Sequence, residues 1–206
     1  MAKDLANYIP ALRFGSKLKL RDLEGGGLLT TGNIYYVDSV TGSSSADGTR
    51  SDRAMATIDQ AISLEAVDPN EGDIIVVLPG HQENISVATS LVMDIAGVRV
   101  VGFGEGRAKP ELTWTATAGT IEMDAASCSI ENVLFLTSIS AVTVGINVDA
   151  ADCVLRNCDF DFDATGDDFL IGVDPATDGI RFSFLNNNFI AEDTAGAADG
   201  IRLNNS

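Results

Sequence analysis

Carboxylates are the groups in this chain whose types and spacing could do chemistry. Asp159, Asp161 and Asp163 alternate with Phe160 and Phe162, and Asp167 and Asp168 follow. On an extended strand, residues two apart point to one side about 7 Å from each other. That spacing suits acid–base hydrolysis of a glycosidic bond or a loose cation site, and it suits a solvated strand face equally well. Asp159, Asp161, Asp163 and Asp168 are therefore weak catalytic candidates, and no catalytic residue is assigned. Asp94, Asp124, Asp149 and Asp174 form a second set, at steps of 30, 25 and 25 residues. Like charges stacked at strand spacing repel, so each is expected to accept backbone N–H bonds from its own turn. A row of Ca²⁺ would want six to eight oxygens per ion, and the neighbouring positions are mostly alanine. No metal and no other cofactor is expected. The lone histidine, His81, reads as a surface turn residue in Pro79-Gly80-His81-Gln82, with no nucleophile patterned near it. Trp114, the single tryptophan, falls in an insertion from Lys109 to Thr117, where it could stack on a sugar.

The elements that must position these groups repeat. The segments Met93–Val100, Met123–Ile130, Val148–Leu155 and Val173–Ile180 align on their aspartates. Eight residues after the first three aspartates stand Gly102, Asn132 and Asn157. The fourth copy reaches Asn186 if four residues around Arg181 to Phe184 are inserted. Phe103, Phe135, Phe160 and Phe189 recur behind them. Within a copy the apolar residues alternate, as in Ile121/Met123, Cys128/Ile130 and Val133/Phe135. Such alternation over three short runs reads as three half-buried strands. Gly and Asn are the residues that best tolerate a left-handed backbone, which a tight bend between strands needs. Three strands and three bends make one coil, coils stack at roughly 4.8 Å, and each buries its inward face against its neighbours. The expected fold is all-β, a parallel β-helix. Cys128, Cys153 and Cys158 fall at inward positions and read as small buried hydrophobes.

Charge is distributed unevenly. Residues 1–21 carry +4 and the remainder −21, for a total of −17. A surface that acidic repels nucleic acid and anionic membranes. The longest apolar run, Ile74 to Leu78, is far too short to span a bilayer, and the N-terminus lacks the apolar core of a signal peptide. Residues 1–32 read as an attachment arm with a Gly25-Gly26-Gly27 hinge. Its apolar and basic residues, Tyr8, Ile9, Leu12, Arg13, Phe14 and Leu18, are candidates for docking on another protein. Residues 33–72 hold a strand, Ile34 to Asp38, and a helix capped by Ser51 or Asp52 whose Met55, Ile58 and Ile62 cover the first coil. Residues 73–206 are the coils, with a C-terminal end that reads as open or continued. Leu134, Leu136 and Ile190 are expected on one outward face, as an oligomer contact.

Asn33 to Asp38, Asp47-Gly48, Ala54 with Thr57-Ile58 and Ala61-Ile62, then Gly72-Asp73-Ile74 to Pro79-Gly80 and Glu83, resemble the opening of pectin-lyase-like right-handed parallel β-helix proteins. With the coils, the resemblance covers about residues 33–206. That superfamily includes polysaccharide lyases and hydrolases, surface adhesins, and bacteriophage tailspike, fibre and capsid-decoration proteins. The Asn-Thr-Asp, Asp-Asp and Gly-His-Gly motifs of polygalacturonase-like hydrolases are missing, as is the paired-arginine motif of pectate lyases. The resemblance thus implies a non-enzymatic phage virion protein, assembled in host cytoplasm and held to a capsid or tail by its N-terminal arm. It also implies a homotrimer, with a host-surface glycan as a further partner. A polysaccharide-binding or -cleaving β-helix and a bacterial surface adhesin are the alternatives.

Overall fold

The computed structural model describes residues 30–64, 67–162, 168–191 and 199–201. The arm residues Tyr8, Ile9, Leu12, Arg13, Phe14 and Leu18, and Asp163, lie outside them. The chain opens with β1 (Ile34–Val37) and a short helix α1 (Ile58–Ile62), then winds. Successive coils hold β2 (Ile74–Val77), β3 (Gln82–Ile85) and β4 (Leu91–Val92), then β5 (Arg99–Gly102), β6 (Glu111–Trp114) and β7 (Ile121–Met123). Next come β8 (Ser129–Glu131), β9 (Leu134–Thr137) and β10 (Ile146–Val148), then β11 (Val154–Arg156), β12 (Asp159–Phe162) and β13 (Ile171–Pro175). The last are β14 (Ser183–Leu185), β15 (Asn188–Ala191) and β16 (Asp199–Ile201). All pairings are parallel and run from coil to coil. The first sheet is β1-β2-β5-β8-β11-β14, the second β3-β6-β9-β12-β15 and the third β4-β7-β10-β13-β16. This is the expected parallel β-solenoid, and among the described residues it is all-β apart from α1 and two short 3-10 turns.

Inward residues stack in columns because in-register strands place like positions one above another. Tyr35, Ile75, Val100, Ile130 and Leu155 line the first sheet, and Leu91, Ile121, Ile146 and Val173 the third. On the second sheet Phe160 lies between Phe135 and Phe189, each ring centroid 4.8 Å away, which is one strand spacing. Phe103 does not join this stack. Residues 103–110 are inserted ahead of β6, so Leu112 pairs with Phe135 in its place.

The corners explain the residues found there. Asn132, Asn157 and Asn186 all adopt positive φ, at 55°, 56° and 53°, as their type implied. Gly102 does not: it ends β5 in extended conformation, and it is glycine because a Cβ would lie 2.2 Å from the Asn132 carbonyl oxygen. A second left-handed column, absent from the sequence reading, turns the third sheet into the first at Gly97, Ser127, Asp152 and Arg181. The left-handed residue turns its N–H along the stack. Ser127 N–H reaches the Ala151 carbonyl, Asp152 N–H that of Ile180 and Asn157 N–H that of Leu185, all at 2.9–3.0 Å.

The extra residues of the last repeat enter in two places rather than one. Ile146 pairs with Val173, a step of 27, whereas Val154 pairs with Ser183, a step of 29. Two residues are therefore gained before β13 and two after it. The N-terminal cap forms as expected, but with a different start. Thr57 caps α1 by accepting the Gln60 N–H at 3.2 Å, while residues 51–53 form a separate 3-10 turn. Ile58, Ala61 and Ile62 are buried over the first coil. Buried Asp73 ties the cap to the coil, accepting the Asn33 N–H at 2.5 Å and the Asp68 N–H at 3.0 Å.

Candidate functional site

The acidic strand β12 places Asp159 and Asp161 outward, flanking inward Phe160. Asp159 pairs with Leu134 of β9 and Asn188 of β15, and Asp161 with Leu136 and Ile190. Leu134, Leu136 and Ile190 thus do share one outward face, but acids interrupt it, because Asp161 separates Leu136 from Ile190. Asp159 is engaged. Lys109, from the insertion ahead of β6, sets its Nζ 2.6 Å from one carboxylate oxygen, and Asn188 Nδ2 donates to the other at 2.7 Å. Lys109 Nζ also donates to the Asn157 carbonyl at 2.8 Å, and its side chain is only 10% exposed. Asp168 lies elsewhere, beside the loop that joins β9 to β10. Its Oδ1 accepts the N–H of Ala141, a residue with φ of 59°, at 2.5 Å. The structure therefore does not gather Asp159, Asp161 and Asp168 into one cluster.

The aspartate ladder is real for three members. Asp94, Asp124 and Asp149 follow one another up the corner after the third sheet. Asp174, shifted by the two extra residues before β13, pairs with Asn147 and so falls in the row of Glu122. Burial first, and then the charges of Asp149 and Asp94, raise the Asp124 carboxyl above the usual range. Burial raises Glu122 too, against the Asn147 hydrogen bond, with Asp124 and Asp149 adding to the rise. Oxygens of Glu122, Asp124 and Asp149 lie within 4.8 Å of one another, and they are the residues that could hold a cation. The Asn147 amide points its Nδ2 at Glu122 and at Asp149, 2.9 Å from each. A partial positive charge thus already occupies the approach. Among the described residues no own-turn N–H bond forms to the Asp94, Asp124 or Asp149 carboxylate. That corrects the sequence expectation: the corner N–H groups are taken by carbonyls of the neighbouring coils, those of Asp124, Ala125 and Asp149 by the preceding coil and those of Gly97, Ser127 and Asp152 by the next.

His81 and Trp114 are also corrected. His81 is fully buried. Its Nδ1 accepts the Ser39 N–H at 3.0 Å, so the ring proton sits on Nε2, which donates to Glu83 Oε2 at 3.0 Å. Glu83 Oε2 in turn accepts the Ile58 N–H at 3.0 Å, which links β3 to the first turn of α1. Trp114 is the last residue of β6 and faces inward. It is fully buried, edge-on to Phe135 and Phe169, with its indole N–H on the Gly119 carbonyl at 3.0 Å. It cannot stack on a surface sugar. The cysteines are buried as expected, and burial pushes the Cys128 and Cys158 thiols up to about 12.

One feature was missed by sequence reasoning. A groove of about 310 Å³ crosses the outward face of the first sheet, lined by Arg99, Glu131, Arg156 and the serines 127, 129 and 183 among others. Nη2 of Arg99 and Nη2 of Arg156 approach the same atom, Glu131 Oε1, at 3.1 and 2.7 Å. Ser129 Oγ is 3.4 Å from it as well. The signal was available: Val100, Ile130 and Leu155 face inward, so their neighbours Arg99, Ser129, Glu131 and Arg156 must face outward on one sheet. No described helix is long and apolar enough to cross a membrane. In comparisons with known protein families, with curated proteins and with solved structures, the chain matches none.

Proposed function

We propose that this chain is a non-enzymatic structural protein of a bacteriophage particle. It is a β-helix displayed on the capsid, as decoration, cement or head fibre, or on the tail, and attached by residues 1–32. The observation that supports this best is how the acids of β12 and its surroundings are used. Asp159 is held by Lys109 and Asn188, and Asp168 by the Ala141 N–H, so both serve the coil rather than a substrate. A stack of coils with fixed columns is a stiff spacer, which suits display more than turnover. The arm adds basic and apolar groups to a chain that is otherwise acidic, which suits docking on a protein surface. In a homotrimer, Leu134, Leu136 and Ile190 would turn toward the neighbouring copy.

The test uses particles made from the genome that encodes this chain, with its own gene deleted. The full chain should co-sediment with such particles, and a chain lacking residues 1–32 should not. Equal binding of both chains would overturn the reading. Turnover of a capsular polysaccharide, lost on Asp161→Ala, would establish the glycan-cleaving alternative instead.

A further inference from the structure

We propose that the groove on the first sheet is an oxyanion-binding site, which takes one carboxylate or sulfate group between Arg99 and Arg156. Elsewhere among the described residues, cations and carboxylates pair one to one: Arg50 with Asp52, Arg53 with Asp47, Lys109 with Asp159 and Arg181 with Asp152. Here two guanidiniums converge on a single oxygen of a single carboxylate. The local charge is +1 in a chain of net −17, where acids outnumber bases 30 to 13 and a second carboxylate is the commoner residue to find. A guanidinium carries five N–H donors in a planar fork. Glu131 engages Nη2 of each arginine, and no described residue takes Nε or Nη1 of either.

The surroundings suit an anion bearing hydroxyls. Ser127 and Ser183 line the groove, and neither hydroxyl is hydrogen-bonded to another described residue. Arg99 on β5 and Arg156 on β11 stand two coils apart, about 9.6 Å along the stack, and lean toward Glu131 between them. A volume of about 310 Å³ admits a sulfate or one acidic sugar ring. Glu131, with a side chain 9% exposed, is a positioning residue. It holds both forks in place before a ligand arrives and limits the site to one anionic group.

The experiment titrates the ¹⁵N-labelled full chain at low ionic strength with sodium sulfate, sodium glucuronate, glucose and sodium chloride, following amide shifts. Saturable shifts centred on residues 129–131, 154–156 and 183 are expected with sulfate, glucuronate or both, and none with glucose or chloride. Sulfate alone assigns a free inorganic anion, and glucuronate alone a saccharide-borne carboxylate. Arg156→Gln should weaken binding about tenfold, and Arg156→Lys, which keeps the charge but loses the fork, several-fold. Glu131→Gln keeps the side-chain oxygen that positions both forks while removing the competing negative charge, so it should bind as tightly as wild type or tighter. Shifts that do not saturate, or that chloride reproduces, overturn the site on the wild-type chain alone. So does wild-type affinity in a folded Arg156→Lys, or lost binding in a folded Glu131→Gln. None of these readouts depends on residues 1–32, so this site and particle attachment can fail separately.

Discussion

At the residue scale, the informative groups are polar side chains held in places where a free one would be costly. His81, Glu83 and Asp73 each satisfy backbone N–H groups at the junction of cap and coil. Truncating His81 to alanine leaves the Ser39 N–H without its partner and removes one of the two donors to a nearly buried Glu83 oxygen. The expected loss is about 2–3 kcal/mol, read as a lower urea midpoint with unchanged slope. Asp124 behaves in the opposite way. Its folded carboxyl is raised by burial and by Asp149 and Asp94. A raised carboxyl stabilises the fold fully below the unfolded pKa, and that contribution is lost as pH rises through the folded value. The Asp124 side chain is exposed, so solvent screens much of this repulsion; Asp124→Asn should still stabilise the protein slightly at pH 7, and the gain should vanish below about pH 4. A thermal melt of both chains at the two pH values checks the sign.

At the element scale, the corner decides whether a strand continues its coil or leaves it. Asn157 has φ of 56° and its side chain bonds no described residue, so its value lies in the backbone conformation it tolerates. Asn157→Ala should cost about 1 kcal/mol, while Asn157→Gly should be nearly neutral. Equal losses from both would show that the left-handed turn is not what the asparagine supplies. The aromatic column is the matching device inside. Phe160 is fully buried between two rings at strand spacing, so Phe160→Ala should destabilise by about 3–5 kcal/mol. Burial also keeps the three thiols protonated and out of reach, and a thiol reagent should label them only on unfolding.

At the scale of the whole molecule, the fold is a stack of near-identical layers under a strong negative charge. Self-repulsion is long-ranged and screened by salt. Raising NaCl from about 20 to about 500 mM should therefore raise the melting temperature. A melting temperature that falls over that range would mean the ion pairs of Lys109, Arg99 and Arg156 outweigh the net charge. The outermost strands of the first and second sheets, β14 and β15, carry exposed Leu185, Phe189 and Ile190, whereas the opposite end is covered by α1.

The amino-acid sequence determined the coil by itself. Its period, its inward columns and its asparagine corners are local patterns of side-chain type, and a two-residue alternation leaves a strand no other way to bury one face. It also determined that the cysteines lie inside and that a helix closes the first coil. What it could not determine were contacts made between coils. Register decided that Asp174 leaves the aspartate column, because two extra residues shift a whole strand without changing its alternation. Burial of His81 depended on Ser39 and Glu83 arriving from different elements, so a turn-like tetrapeptide was no guide. Asp159 looked like half of an acid pair until the fold brought Lys109 to it from fifty residues away. Arg99 and Arg156 became one site only when stacking set Glu131 between them. Alternation within a strand is written in neighbours along the chain, whereas the partner above or below is set by how many residues each loop consumes.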